Sequence, residues 1–424
     1  MKLKQQQQLQ IVLTPEAMED VHPHFQAKML SAFEQIVLNF PPSWFTTSMG
    51  SGIAAVVLHK LPYQFQGLDI IAHIVFVFNV LIFTLMVIIS VYRYLRWPKV
   101  FSLMLNHPSQ SLFLGAIPNA MSTIIDYMAL ALIPYWGDGF AIFSWVLWWI
   151  NIVLALGITA CLLFVQFTRH SNTLETYNAL WTLPVVCIIV ASAVGSIVAA
   201  KIPMQHAKLT IVFSYVTLGI GFSLAVMICT TYYLRLTLHK IPPSATIFSV
   251  FLPLGAFGQS AFVVLNLATS ARELFKNHGE WIISPNVIST EAAGFFSDAV
   301  YAVSVVFSLM LWGFALLWFV LGVFFVIDVL TVSKISFNLG WWGLTFPISV
   351  FAIATGELGQ ALGSGFFRVV ATIVTVGEII IWLMVFTLTL YNMARKRLFI
   401  SPCLQEAGGV PPSGATITTR KYVL

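Results

Sequence analysis

Ten runs of apolar residues, separated by short polar stretches, decide what this chain can fold into. They cover residues 42–59, 70–92, 110–133, 139–167, 177–200, 209–234, 245–269, 294–328, 340–358 and 366–394. A helix needs about 20 apolar residues to cross a bilayer core of about 30 Å, and most of these runs meet that length. Only 9% of the residues are charged and 58% are hydrophobic, whereas a soluble domain carries about a quarter charged residues. So few charges cannot coat a globule of this size in water, so lipid must be the solvent for most of its surface. In lipid the backbone must satisfy its own hydrogen bonds. The expected fold is therefore all-α integral membrane, with ten transmembrane helices. The first run is short and the eighth long. The eighth is expected to begin as an interfacial turn near Phe295 and Phe296, or to tilt strongly.

The segments around these runs set domain limits and orientation. Residues 1–40 are polar, Gln-rich and mixed in charge, which fits an N-terminal tail and not a cleavable signal. Residues 41–397 form the membrane domain, and residues 398–424 read as a flexible C-terminal tail rich in Gly, Pro, Ser and Thr. An even number of spans puts both tails on one side. The tails and the loops on their side hold about 15 of the 21 Lys and Arg residues, so that side is expected to be cytoplasmic. Arg93, Arg96 and Lys99 mark one such loop, and Arg395, Lys396 and Arg397 open the C-terminal tail. On the other side, the longest loop carries Trp281, an expected interfacial anchor. The net charge of +5 thus reports orientation, and no nucleic-acid motif accompanies it.

Several function classes find no support. Cys161, Cys187 and Cys229 lie inside apolar runs and Cys403 in the tail, without the spacing of a metal or disulfide framework. No GxSxG, HExxH, P-loop or GxGxxG occurs, so neither an enzyme nor an ATP-driven pump is expected, and no cofactor or metal.

The prolines alternate. Pro118, Pro184, Pro253 and Pro347 fall in the third, fifth, seventh and ninth runs, and Pro41 and Pro42 open the first. The even runs contain none. A proline inside a helix frees the carbonyl one turn back, which lipid does not tolerate but neighbouring protein or a water-filled path does. The alternation predicts five helical hairpins, each with a Pro-kinked inner helix and a straight outer one, around a central pore. Small and polar residues cluster on the expected inner helices. Thr47, Ser48, Ser51, Asn119, Thr123, Gln259 and Ser260 are the candidates to line that pore. Hydroxyls, amides and backbone N–H groups suit weak, multi-site passage of a small ion. With no Lys or Arg at mid-membrane depth, attraction of an anion would come from helix dipoles. Intramembrane acids are costly: Asp126 and Glu378 are either proton-relay groups or buried structural partners. Glu357 would be interfacial, with Arg368 as its expected partner. His107-Pro108 is either a helix-entry turn or a pH-sensitive group at the pore mouth.

Longer motifs carry a resemblance. Phe40-Pro41-Pro42-Ser43-Trp44-Phe45-Thr46, Met49-Gly50-Ser51-Gly52-Ile53, the run from His107 to Gly115, Pro253-Leu254-Gly255 with Gly258-Gln259, Trp341-Trp342-Gly343-Leu344-Thr345-Phe346-Pro347 and Phe366-Phe367-Arg368-Val369 together resemble fungal sulfite efflux pumps. The Trp-Trp and Thr-Phe-Pro elements are similar to the wider tellurite-resistance/dicarboxylate transporter superfamily, which includes malate permeases and plant slow anion channels. The resemblance runs from about Phe40 to Arg397. It implies five hairpins around one pore per protomer, a homotrimer in the plasma membrane, and a pore-blocking phenylalanine, which by motif is Phe346. The implied function is export of sulfite or a similar small inorganic anion; the alternatives are a C4-dicarboxylate (malate) permease and a passive regulated anion channel. Four departures bear on the substrate: Ser51 stands where the family has Thr, Asn119-Ala120 where a Met-Gly-like pair is expected, Ala256 where a second proline is common, and Asp126 where an amide is more usual.

Overall fold

The computed structural model of the chain describes residues 31–278 and 289–406. Trp281 and most of both tails lie outside them. The described residues are helical apart from turns and short loops, as backbone in lipid requires.

The helices alternate along the chain between an inner and an outer set. The inner set is α2 (Phe45–His59), α5 (Ala116–Tyr127, running on through a π turn at Met128–Leu132 to Ile133–Trp136), α7 (Leu183–Ala199), α9 (Leu252–His278) and α11 (Thr345–Ala361). The outer set is α3 (Leu68–Arg96), α6 (Asp138–Thr168), α8 (Met204–His239), α10 (Thr290–Val332) and α12 (Gly365–Ala394). Three short helices, α1 (Ala32–Leu38), α4 (Pro98–Asn106) and α13 (Pro402–Glu406), lie outside this alternation. Among the described residues nine helices are long and apolar enough to cross a membrane. The first run forms the shorter helix α2, buried along almost its whole length. Burial separates the two sets: the most apolar stretches of α5, α7, α9 and α11 are 72–100% buried, and those of α3, α6, α8, α10 and α12 only 22–39%. The outer helices leave rows of Leu, Ile, Val and Phe uncovered, as lipid-facing surface demands. The expected interfacial turn at Phe295 and Phe296 does not occur. Both sit exposed on α10, one continuous helix of 43 residues, about 64 Å long at 1.5 Å per residue and well beyond a bilayer core.

The inner helices close into a ring in the order α2, α5, α7, α9, α11 and back to α2. Small residues let the backbones approach, the usual device for helix packing without a hydrophobic drive. A Cβ on Gly52 of α2 would sit 2.0 Å from Thr123 Oγ1 of α5, and one on Gly50 would sit 2.3 Å from Thr345 Oγ1 of α11. Gly115, just before α5, abuts the backbone of α7, and Gly255 and Gly258 of α9 abut Pro347 and Phe351 of α11. Between α7 and α9, Asn266 Nδ2 donates to Ser196 Oγ and Ser270 Oγ to the Ser196 carbonyl.

Each hairpin is also pinned by a buried hydrogen bond. Ser48 Oγ donates to Asn79 Oδ1, Asn151 Nδ2 to Ser122 Oγ, Ser308 Oγ to the Ala261 carbonyl and Trp342 Nε1 to Thr389 Oγ1, while the Ser192 and Thr217 hydroxyls bond each other. Three outer helices reach the following inner helix through an indole: Trp148 Nε1 donates to the Ala191 carbonyl, Trp312 Nε1 to Thr355 Oγ1, and Trp382 Nε1 to Ser51 Oγ. The last bond closes the circle from α12 to α2. Side-chain hydrogen bonds between membrane helices contribute about 0.6 kcal/mol on average. Trp382→Phe, which keeps most of the ring's volume, is therefore expected to lower stability by about that amount, read as a small shift of the denaturant midpoint in detergent.

Candidate functional site

Every inner helix is entered through a 3-10 turn: Pro42–Trp44, Ser111–Gly115, Ala179–Thr182, Ile247–Phe251 and Leu339–Gly343. Hydroxyls hold these junctions. Thr46 Oγ1 donates to the Ser43 carbonyl, Thr182 Oγ1 to Ala179, Ser249 Oγ to Thr246 and Thr345 Oγ1 to Trp342, each three residues back. Two turns share an asparagine cap: Asn178 Oδ1 accepts from Leu180 N and Asn338 Oδ1 from Gly340 N. The four prolines stand within the first three residues of α5, α7, α9 and α11. There a missing N–H breaks no helical bond, and the fixed φ favours the helix start. Pro118, Pro184, Pro253 and Pro347 thus mark the bend from 3-10 turn to helix at the ring entrance, and the freed mid-helix carbonyls expected from the sequence do not arise.

The five entry turns surround one cavity of about 420 Å³, to which each contributes: Ser43, Phe113, Leu180, Ser249 and Gly340 are examples. The N-terminal ends of all five inner helices therefore converge on this vestibule, each with the partial positive charge of a helix start, while the first N–H after each turn bonds a turn carbonyl. Among the described residues that line it, Arg397 is the one that is charged. The C-terminal segment forms part of the wall through Arg397, Leu398, Ile400 and Pro402. The expected flexible tail thus begins as packed structure: Cys403 and Leu404 of α13 join Leu38 of α1 and Val100 and Met104 of α4 in a small apolar cluster. Arg93, fully buried, ties these pieces together, with Nε donating to the Leu38 carbonyl and Nη2 to Ser401 Oγ.

At the other end of the ring, Lys60, which caps α2, pairs with Glu357 of α11. The expected partner of Glu357, Arg368, is not the one it takes. Lys60 also lies over the Phe262 ring of α9, 4.8 Å from its centroid, and its charge acts on Asp126 of α5. Helical spacing connects the two ends. Gly343, in the entry turn of α11, lines the vestibule, and Ile353 and Glu357 of α11 line a small recess at the other end, between α2, α11 and the outer helix α12. Phe346 and Val350 fall between them on the same face, at steps of three and four residues. Phe346 is 3% exposed. On α9, Gln259 lies one turn from Phe262 and two from Leu252, a vestibule residue. On α5, Asn119, Thr123 and Asp126 share one face.

The sequence candidates divide accordingly. Thr47 Oγ1 donates to the Trp44 carbonyl and approaches Met86 of α3, Ser48 bonds α3, Ser51 accepts from α12, Thr123 Oγ1 donates to the Ala120 carbonyl against Gly52, and Ser260 Oγ donates to the Ala256 carbonyl. Except for Ser51, these hydroxyls have committed their protons to protein. Asn119 is fully buried, and neither side-chain polar atom has a partner among the described residues. Gln259 is buried at the ring interior. Glu378 of α12 is fully buried beside Ser349 of α11. His107 Nδ1 accepts from Ser109 N and Gln110 N, a turn-forming role at the second entry. Sequence reasoning missed Lys60, Arg397 and the paired caps Asn178 and Asn338. The shared Asn-x-x-Trp spacing of Asn178/Trp181 and Asn338/Trp341 was the available signal for the caps.

Comparison with known proteins agrees with this architecture. The family model described as voltage-dependent anion channel (SLAC1) matches residues 39–390. The sulfite efflux pump of Arthroderma benhamiae is 38% identical over 364 residues, covering 86% of this chain and 93% of that one. The sulfite efflux pump of Trichophyton rubrum shares the same identity and coverage. The malic acid transport protein of Schizosaccharomyces pombe is 26% identical over 380 residues, covering 87% of this chain and 81% of that one. A five-hairpin ring with its helix N-termini gathered on one vestibule, matched across its length by an anion-channel model, makes this chain a multi-pass membrane member of the voltage-dependent anion channel family.

Proposed function

We propose that the chain exports sulfite, or a similar small oxyanion, across the plasma membrane along the axis of the inner ring. The observation that carries this reading is the vestibule: five helix N-termini and Arg397 around one cavity, with no acidic side chain in its lining among the described residues. Oriented N–H dipoles in a site that excludes most water favour an anion without a full positive charge at mid-membrane. The names of the relatives that are 38–39% identical over 86% of the chain favour sulfite. In this reading α2 with its entry turn is the first of ten spans. Both termini and the vestibule face the cytoplasm, as the excess of Lys and Arg at that end favours. Export follows the membrane potential, worth about 2.3 kcal/mol per charge per 100 mV, inside negative. Phe346 is the gate between vestibule and distal recess, and three such protomers assemble as a homotrimer, each with its own path.

A malate permease is the second reading, favoured by the Schizosaccharomyces relative. Two carboxylates call for two strong partners, and the vestibule supplies only Arg397. In proteoliposomes, sulfite uptake should persist in the presence of excess malate; a preference for malate over sulfite would replace the first reading by the second. Arg397→Gln is expected to lower sulfite flux at low concentration by about tenfold, because a cation in a concave, low-dielectric mouth concentrates anions, with less effect near saturation.

A further inference from the structure

Lys60 sits at the C-terminal end of α2, whose neighbours in the ring are α5 and α11. Its ammonium nevertheless lies over the Phe262 ring of α9, 4.8 Å from the centroid. In the ring order α9 stands on the far side of α11 from α2. The ammonium thus pairs with Glu357 of α11 and meets a ring of α9 at the same time, at the end of the ring away from the vestibule. Asp126 of α5 lies close enough to feel its charge. Three of the five inner helices, α2, α9 and α11, thus meet at one ammonium group. Both partners of the ion pair remain partly open, with side chains 18% and 22% exposed. Beside the pair, a recess about the size of one water molecule is walled by Val57 of α2, Ile353 and Gly356 of α11 and Thr375 of the outer helix α12.

Given the anion path proposed above, on which this inference rests, we propose that Lys60 is a specificity-determining residue: it spans the distal mouth as the exit site for the anion, and Glu357 competes with the anion for it. An ion leaving along the axis must pass the ammonium, and the Lys60–Glu357 pair occupies that place when no anion is present. Exchange of one carboxylate for a passing oxyanion keeps the ammonium paired throughout, so the exit is attractive without becoming a trap. Water still reaches the pair, whose side chains are about one-fifth exposed, so a passing oxyanion can compete with the carboxylate for the ammonium. The Phe262 face holds the ammonium over the axis in both states through its ring quadrupole. The path then carries a cation at each end, Arg397 at the vestibule and Lys60 at the exit.

The test compares Lys60→Met, Lys60→Arg and Glu357→Gln with the unmodified chain in proteoliposomes, measuring sulfite flux against concentration and the anion-over-cation permeability ratio from reversal potentials. The expected result is a several-fold rise in half-saturating concentration and a lower permeability ratio for Lys60→Met, near-normal values for Lys60→Arg, and a several-fold fall in half-saturating concentration for Glu357→Gln. A merely structural ion pair would change the amount of active protein and leave both quantities where they were. Opposite shifts in the Met and Gln variants support the exit site. Unchanged half-saturation and permeability ratio in either folded variant, while the unmodified chain conducts, overturn it. Should Lys60→Met fail to fold, Glu357→Gln alone decides. An unmodified chain that carries no anion defeats the functional reading itself, a result distinct from failure of the exit site.

Discussion

Phe346→Ala is expected to raise anion flux by about tenfold or more, equivalent to removing about 1.4 kcal/mol from the barrier. Phe346 is the second residue of α11, buried, one turn beyond the vestibule residue Gly343 and on the face that leads to Glu357. In the proposed reading its phenyl group closes the axis by volume, and alanine would open a gap for a small oxyanion. The competing account is a core aromatic packed beside a proline. Truncating such a residue costs about 3–5 kcal/mol of stability and opens no path. Flux in proteoliposomes and thermal unfolding in detergent separate the two. Raised flux with a modest stability loss is the outcome expected of a gate, and a large stability loss without raised flux is that of a core residue.

Gly115→Ala is expected to be the most damaging of the small substitutions on the inner ring. Its Cβ would lie 2.7 Å from the Leu183 carbonyl oxygen and 2.8 Å from Pro184 Cα. Both are backbone atoms at the start of α7, so no side-chain rotation relieves the clash, and α5 and α7 must move apart. Overpacking of this kind costs about 1–3 kcal/mol, occasionally more. The entry turns of both helices line the vestibule, so the separation should also alter flux. Gly157 on α6 provides the control: nothing lies within 4 Å of a Cβ there, and Gly157→Ala should leave stability unchanged or slightly raised, since alanine favours helix. Equal unfolding midpoints for Gly115→Ala and Gly157→Ala would contradict the close approach of α5 and α7.

Much of this architecture is written in the sequence because lipid imposes simple rules. Run length located most spans to within about five residues, although α9 continues nine residues past its run to His278, and the absence of proline from the even runs marked the outer helices. The 3-10 entries were not legible. Whether a backbone N–H pairs three or four residues back depends on hydroxyls such as Thr182 and Ser249 and on the neighbouring turns. Proline position was therefore read correctly as an inner-helix mark and differently as to mechanism. Facing was not legible either. α7 is buried on all sides, so no polar stripe tells the axis from the flanks, and Thr47, Ser48 and Ser51 turned out to face neighbouring helices. The Lys60–Glu357 pair joins residues 297 positions apart, a contact that only ring closure creates. Arg397, counted as an orientation charge, enters the vestibule because the chain end folds back, with Ser401 held by Arg93.

The most direct test of the anion path is sulfite flux into proteoliposomes under an imposed potassium-diffusion potential, with and without a pH gradient, and with nitrate and chloride as comparators. Sulfite-selective flux that follows the potential and is indifferent to the pH gradient is the predicted result. No sulfite flux under any potential, from protein that remains folded, would contradict it.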